Sequence, residues 1–64
     1  MNKKEIEIRR LILKNEINIE CIKNYFINDE IEEDIFTGYL NLHYAVDNAI
    51  YNNKKSLFER LVYL

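Results

Sequence analysis

The feature that most constrains this chain is an apolar rhythm that starts after Thr37 and is never interrupted by proline. Leu42, Ala45, Val46, Ala49 and Ile50 follow the i, i+3, i+4, i+7, i+8 spacing of one helix face. Leu57, Leu61 and Leu64 continue in the same phase beyond Asn52 and Asn53. Thr37 is a reasonable N-cap, so the spacing predicts a helix over about residues 39–63, roughly 37 Å long at 1.5 Å per residue. A second apolar line, Leu40, Tyr44, Tyr51, Phe58 and Val62, runs well away from the first and leaves Asn48, Lys55, Ser56 and Glu59 as the polar strip. A helix apolar over more than half its circumference cannot be covered by two short neighbours. Either the chain folds back at Asn52-Asn53 and the rings complete a small core, or the aromatic line meets another molecule. The expectation is that Leu40, Tyr44, Tyr51, Phe58 and Val62 serve a homodimer or a second contact.

Two helix starts precede this one. Asn2 followed by Glu5 has the form of a capping box, and Met1 can staple onto Ile6. The first helix should run to about Lys14, with Ile8, Leu11 and Ile12 inward and Glu5 with Arg9 as an i,i+4 pair. Asn18 can cap a second helix that carries Ile19, Ile22 and Phe26 inward and ends near Asn28, with Ile17 and Ile22 repeating the staple. The stretch 29-DEIEED-34 then suits a short helical turn, since acidic side chains favour the positive end of a helix. The expected architecture is one all-α domain, residues 1–64, of three to four helices with a long C-terminal helix.

Size sharpens the argument for a partner. A chain of 64 residues buries only about 60% of the surface its unfolded form exposes. Such a core rarely yields more than about 3–5 kcal/mol of net stability. Cys21 is the single cysteine, so an internal disulfide is not available, and a zinc site needs more ligands than Cys21 and His43 supply. Self-association is the stabiliser that remains. No apolar run approaches the roughly 20 residues that span a bilayer. The basic start MNKKEIEIRR is interrupted by Glu5 and Glu7 and is not followed by the apolar run of a signal peptide. A soluble, cytoplasmic protein is expected, with no cofactor and no membrane partner. The abundance of Ile, Asn, Lys and Tyr fits an AT-rich genome, of the kind found in many phages, poxviruses and low-GC bacteria.

Gly38, Leu42, His43, Ala45 and Val46 resemble the G-x-T-P-L-H-x-A-A core of the ankyrin repeat. The segments 56-SLFERLV-62 and 20-ECIKNYF-26 are similar to that repeat's second helix. The resemblance covers most of the chain as about two degenerate repeats, and it implies a protein-binding scaffold without catalysis. Leu40 and Asn41 stand where the family has Thr-Pro. Extra residues, roughly NAIYNN, separate the two helices of the second copy, and a closing glycine turn is absent after Leu64.

Few residues offer chemistry. His43 and Asp47 are spaced to face each other on a helix, and a carboxylate that orients an imidazole is half of a nucleophilic triad. Ser56 and Cys21 belong to other segments, so the pair reads better as a helix-surface or interface contact, and an enzyme is not expected. Gly38 stands alone, which excludes the glycine-rich phosphate loops. The first two helices could form a helix-turn-helix, but the second offers Lys23 alone against Glu20, too little for phosphate contacts. Direct nucleic-acid binding is disfavoured.

Charge is distributed unevenly. Residues 1–23 carry six basic and four acidic groups, and residues 24–47 carry six acidic groups and no Lys or Arg. Residues 48–64 return to three basic and one acidic, on a chain whose net charge is −2. Such a block either keeps a small protein soluble or docks on a basic surface, where clustered charge sets partner choice and on-rate. The functional expectation is a small non-catalytic inhibitor or adaptor, of phage or mobile-element type, that occludes a basic site on a host or cognate protein such as a nucleic-acid-binding protein. Its contact surface is expected to be Asp29, Glu30, Glu32, Glu33 and Asp34, with Tyr39 alongside.

Overall fold

A computed structural model describes residues 2–62 of the chain. Among them are three helices and no strand: α1, Lys3–Leu13; α2, Ile19–Ile27; and α3, Glu33–Val62. The expected contact of Met1 with Ile6, and the place of Leu64, lie outside the described residues.

The first two helices begin as their caps require. Asn2 Oδ1 accepts from the Glu5 N–H at 2.9 Å, and the Asn2 N–H donates back to Glu5 Oε2 at 3.3 Å, which completes the capping box. This turns Glu5 toward the cap instead of the expected pairing with Arg9. Asn18 Oδ1 accepts from the Cys21 N–H at 2.9 Å at the start of α2. Both helices also end in the same way. The Asn15 and Glu16 N–H groups donate to the Ile12 and Leu11 carbonyls, and those of Asp29 and Glu30 donate to Phe26 and Tyr25. These are Schellman turns, which need a left-handed residue after the C-cap. Asn15 and Asp29 take that place, each at φ 57°. Asn and Asp tolerate this region better than other residues with a Cβ. The one glycine, Gly38, lies inside α3 and closes neither turn.

The core is small. Ile8 and Ile12 of α1, Ile22 of α2, Ile31 of the connection and Tyr39 of α3 are buried. Ile17, Tyr25, Phe26, Ile35, Phe36 and Leu42 pack around them. Phe26 and Phe36 stack with ring centroids 4.6 Å apart and planes 4° from parallel. Each buried isoleucine contributes roughly 1.5–3 kcal/mol of gross transfer free energy. Ile19, expected inward, is half exposed, because α2 turns Ile22, Tyr25 and Phe26 to the core instead. Both short helices pack against α3 rather than chiefly against each other.

α3 departs most from expectation. It begins at Glu33, so the acidic stretch is not a separate helical turn: Glu33 and Asp34 form the first turn of the long helix itself. Thr37 is no cap but lies one turn inside, its hydroxyl donating to the Glu33 carbonyl at 3.0 Å. The continuation past Asn52-Asn53 is now settled, since the helix runs through both to Val62. Thirty residues of helix measure about 45 Å, which accounts for most of the 51 Å long dimension of the molecule. The other two extents are 18 and 16 Å. A small head formed by α1, α2 and the first half of α3 therefore carries a projecting rod.

Candidate functional site

Two polar side chains of α3, one turn apart, tie the head together. The Tyr39 hydroxyl donates to the Glu5 carbonyl of α1 at 2.6 Å. His43 Nε2 lies 3.2 Å from the Ile17 carbonyl in the connection between α1 and α2. A carbonyl only accepts, so Nε2 carries the proton in the neutral ring. Burial holds the Tyr39 phenol above its ordinary pKa of 10.0, helped by the Glu5 charge and opposed by Arg9. Tyr39 is thus a core residue, 5% exposed, and it does not join the acidic surface as expected. A buried phenol whose hydroxyl reaches a backbone carbonyl is not available to a partner.

The expected His43–Asp47 approach is present: Asp47 Oδ2 lies 3.2 Å from His43 Nδ1. With the proton on Nε2, Nδ1 has none to donate to the carboxylate, and among the described residues it has no hydrogen-bond partner. Asp47 is half exposed and His43 almost enclosed. Ser56 lies thirteen residues further along the same rod, roughly 20 Å away along the axis. Cys21 is exposed on α2. Along the helix Ser56 is far from the imidazole, which ties down the α1–α2 connection through Ile17.

The acidic residues gather at one corner, where the α2–α3 connection enters α3. Asp29, Glu30, Glu32, Glu33 and Asp34 are all exposed. Glu30 is paired with Lys4 of α1, Nζ to Oε1 at 2.5 Å, and the Lys4 ammonium also stands 5.4 Å from the Tyr25 ring centre. The hydrogen bond that Lys4 donates to Glu30, ahead of the opposing effect of burial, holds the Lys4 pKa above its ordinary value. Asp34 Oδ1 accepts from the Ile35 N–H at 2.9 Å and so supports the helix start. Glu32, Glu33, Asp34 and Thr37 border an open depression on this corner. Among the described residues, no group of three or more His, Cys, Asp or Glu side chains is arranged to hold a metal ion.

The second predicted surface is the aromatic line. Tyr44, Tyr51, Phe58 and Val62 are between 59% and 70% exposed, and Leu40 is half-buried at the edge of the head. Leu57 and Leu61, expected to continue the core stripe, are equally open to solvent. Every residue from Tyr51 to Val62 is exposed. No described helix is long and apolar enough to cross a membrane.

These observations define a small all-α protein with an acidic corner and an uncovered apolar rod. No protein-family model, curated protein or solved structure matches the chain. The ankyrin-like residues are also arranged differently from that repeat. The segment from Gly38 to Val62, which would have to turn back between two antiparallel helices, lies within one continuous helix. α1 and α2 each pack on α3. Tyr39 and His43 are the side chains whose role sequence reasoning missed. Their i,i+4 spacing on the inward face was the available signal.

Proposed function

We propose that the protein is a non-catalytic inhibitor or adaptor that binds a basic site on another protein through its acidic corner. The observation that carries this reading is the placement of Asp29, Glu32, Glu33 and Asp34. All four are exposed at one corner, and among the described residues none is in an ion pair. Four carboxylates in one place generate a field that steers a cationic partner and raises its on-rate. Nearby apolar surface would supply the affinity that exposed charge does not. Occlusion of the partner's basic site, and with it of any nucleic acid that site holds, is the mechanism. A protein of phage or mobile-element type acting inside the host cell would suit this role.

The test is a competition. Capture by immobilised wild-type protein is compared with capture by the Glu32→Lys/Glu33→Lys variant, and captured proteins are eluted with duplex DNA. The reading expects basic proteins that are lost on charge reversal and displaced by DNA. Capture that survives the reversal refutes it.

A further inference from the structure

The geometry points to an antiparallel homodimer in which the projecting halves of α3 from two copies lie side by side, with Tyr51 at the two-fold axis. This inference is independent of the acidic corner and rests on the pattern of the rod.

Four residues spaced by seven, Leu40, Asp47, Lys54 and Leu61, form a line along α3. His43, Ile50 and Leu57 flank it on one side, and Tyr44, Tyr51 and Phe58 flank it on the other. A seam of this kind, repeating every seven residues, is the one through which two helices pack. The head covers it only at its beginning, where His43 is buried and Leu40 half-buried. Beyond that point Ile50 is half-buried, and Asp47, Tyr51, Lys54, Leu57, Phe58 and Leu61 are exposed.

The two charges inside the seam select the occupant and its direction. In a parallel pair each residue meets its own copy, so Asp47 would face Asp47 and Lys54 would face Lys54, an unfavourable arrangement at both levels. In an antiparallel pair centred on Tyr51, Asp47 comes within one residue, about 1.5 Å along the axis, of the partner's Lys54. The two-fold axis creates this pair twice. The same register sets Tyr44 against the partner's Phe58 and Leu40 near the partner's Leu61. It also sends the two heads to opposite ends of the assembly, where they do not collide. A partner unrelated to this chain would have to supply the complementary charge order; a second copy already contains it.

The area is sufficient. Large aromatic side chains bury about 150–250 Å² each, and Tyr44, Tyr51 and Phe58 are 70%, 65% and 67% exposed. The rings alone therefore offer on the order of 400 Å² per chain. Leu57, Leu61 and Val62 bring the pair toward the roughly 1,200–2,000 Å² of a stable interface. The dimer also explains how the last three turns hold their helix. Residues 51–62 have no support from the head, and isolated helices of about 12–15 residues are marginal in water. In this arrangement the two acidic corners stand roughly 54 Å apart, counting 1.5 Å per residue from Glu33 to the axis in each chain.

The experiment is sedimentation equilibrium on the whole chain from about 5 to 500 μM, combined with cysteine cross-linking in a Cys21→Ser background. The wild type should sediment as a dimer, and Tyr51→Ala should weaken association by at least roughly tenfold, as expected for a central aromatic anchor. Tyr51 is exposed and outside the head, so the far-UV circular dichroism of the head helices reports that the variant still folds. For direction, a Tyr44→Cys chain is mixed with a Phe58→Cys chain under mild oxidation. The mixed disulfide should form, and neither chain alone should cross-link. A monomer throughout the range, an unchanged Tyr51→Ala variant, or self-cross-linking of either single-cysteine chain would each overturn the proposal.

Discussion

Replacing Tyr39 by phenylalanine isolates one atom of the tie between α1 and α3. The ring keeps its place in the core and only the hydroxyl that reaches the Glu5 carbonyl is lost. That carbonyl lies inside α1 and keeps its helical hydrogen bond, so the variant leaves no orphaned acceptor. The loss should therefore equal one ordinary net hydrogen bond, about 1 kcal/mol. In a domain of this size that corresponds to a fall in Tm of roughly 4–8 °C. The assay is urea unfolding of both proteins at one fixed concentration, so that self-association is equal. A second readout follows from the raised phenol pKa. The folded state holds the proton more tightly than the unfolded chain, so the contribution of Tyr39 is complete below about pH 10. It is lost as pH rises through that value and on through the higher folded one. The gap between wild type and Tyr39→Phe should thus narrow in alkali, with the lysines common to both cancelling. Equal stability at pH 7, or a gap that is constant to high pH, would refute the placement of this hydroxyl.

Three further outcomes are expected. Gly38→Ala should raise stability by about 1 kcal/mol, the ordinary helix-propensity gain, because a Cβ at Gly38 meets nothing within 4 Å; thermal melts check this, and a loss would mean that something does pack there. Asn15→Ala should lower stability by about 1 kcal/mol, since alanine is disfavoured in the left-handed conformation that Asn15 adopts; chemical denaturation checks it against Asn15→Gly, which should be tolerated. Amide exchange on diluted protein should show slow hydrogens around Tyr39 and His43 and fast ones from Tyr51 to Val62, because only the former are held by burial. Uniform protection along α3 at every dilution would contradict that gradient.

Much of the local structure was readable residue by residue. The capping box at Asn2 and Glu5, the cap at Asn18 and the inward face of Ile8 and Ile12 are short-range events, decided by groups three or four positions apart. The start of α3 was not readable in the same way. Thr37 has the chemistry of a cap, but Ile31, Ile35 and Tyr39 are pulled into one core, and that packing extends the helix back to Glu33. The acidic corner was legible as composition, whereas the pairing of Glu30 with Lys4 depends on how α1 comes to lie near the α2–α3 connection. Tyr39 was misplaced for a related reason: from sequence its ring fits equally well beside the acids or beneath α1.

By itself the sequence determined an all-helical chain, the apolar seam of its last helix and the clustering of its acidic residues, because periodicity and charge are properties of neighbours along the backbone. Only the tertiary structure decided whether the rod turned at Asn52-Asn53 and whether its rings were covered. That choice depends on how much apolar surface two short helices can reach. α1 and α2 are 11 and 9 residues long, roughly 16 and 14 Å. Against an α3 of about 45 Å, they cover its first half and leave the second open.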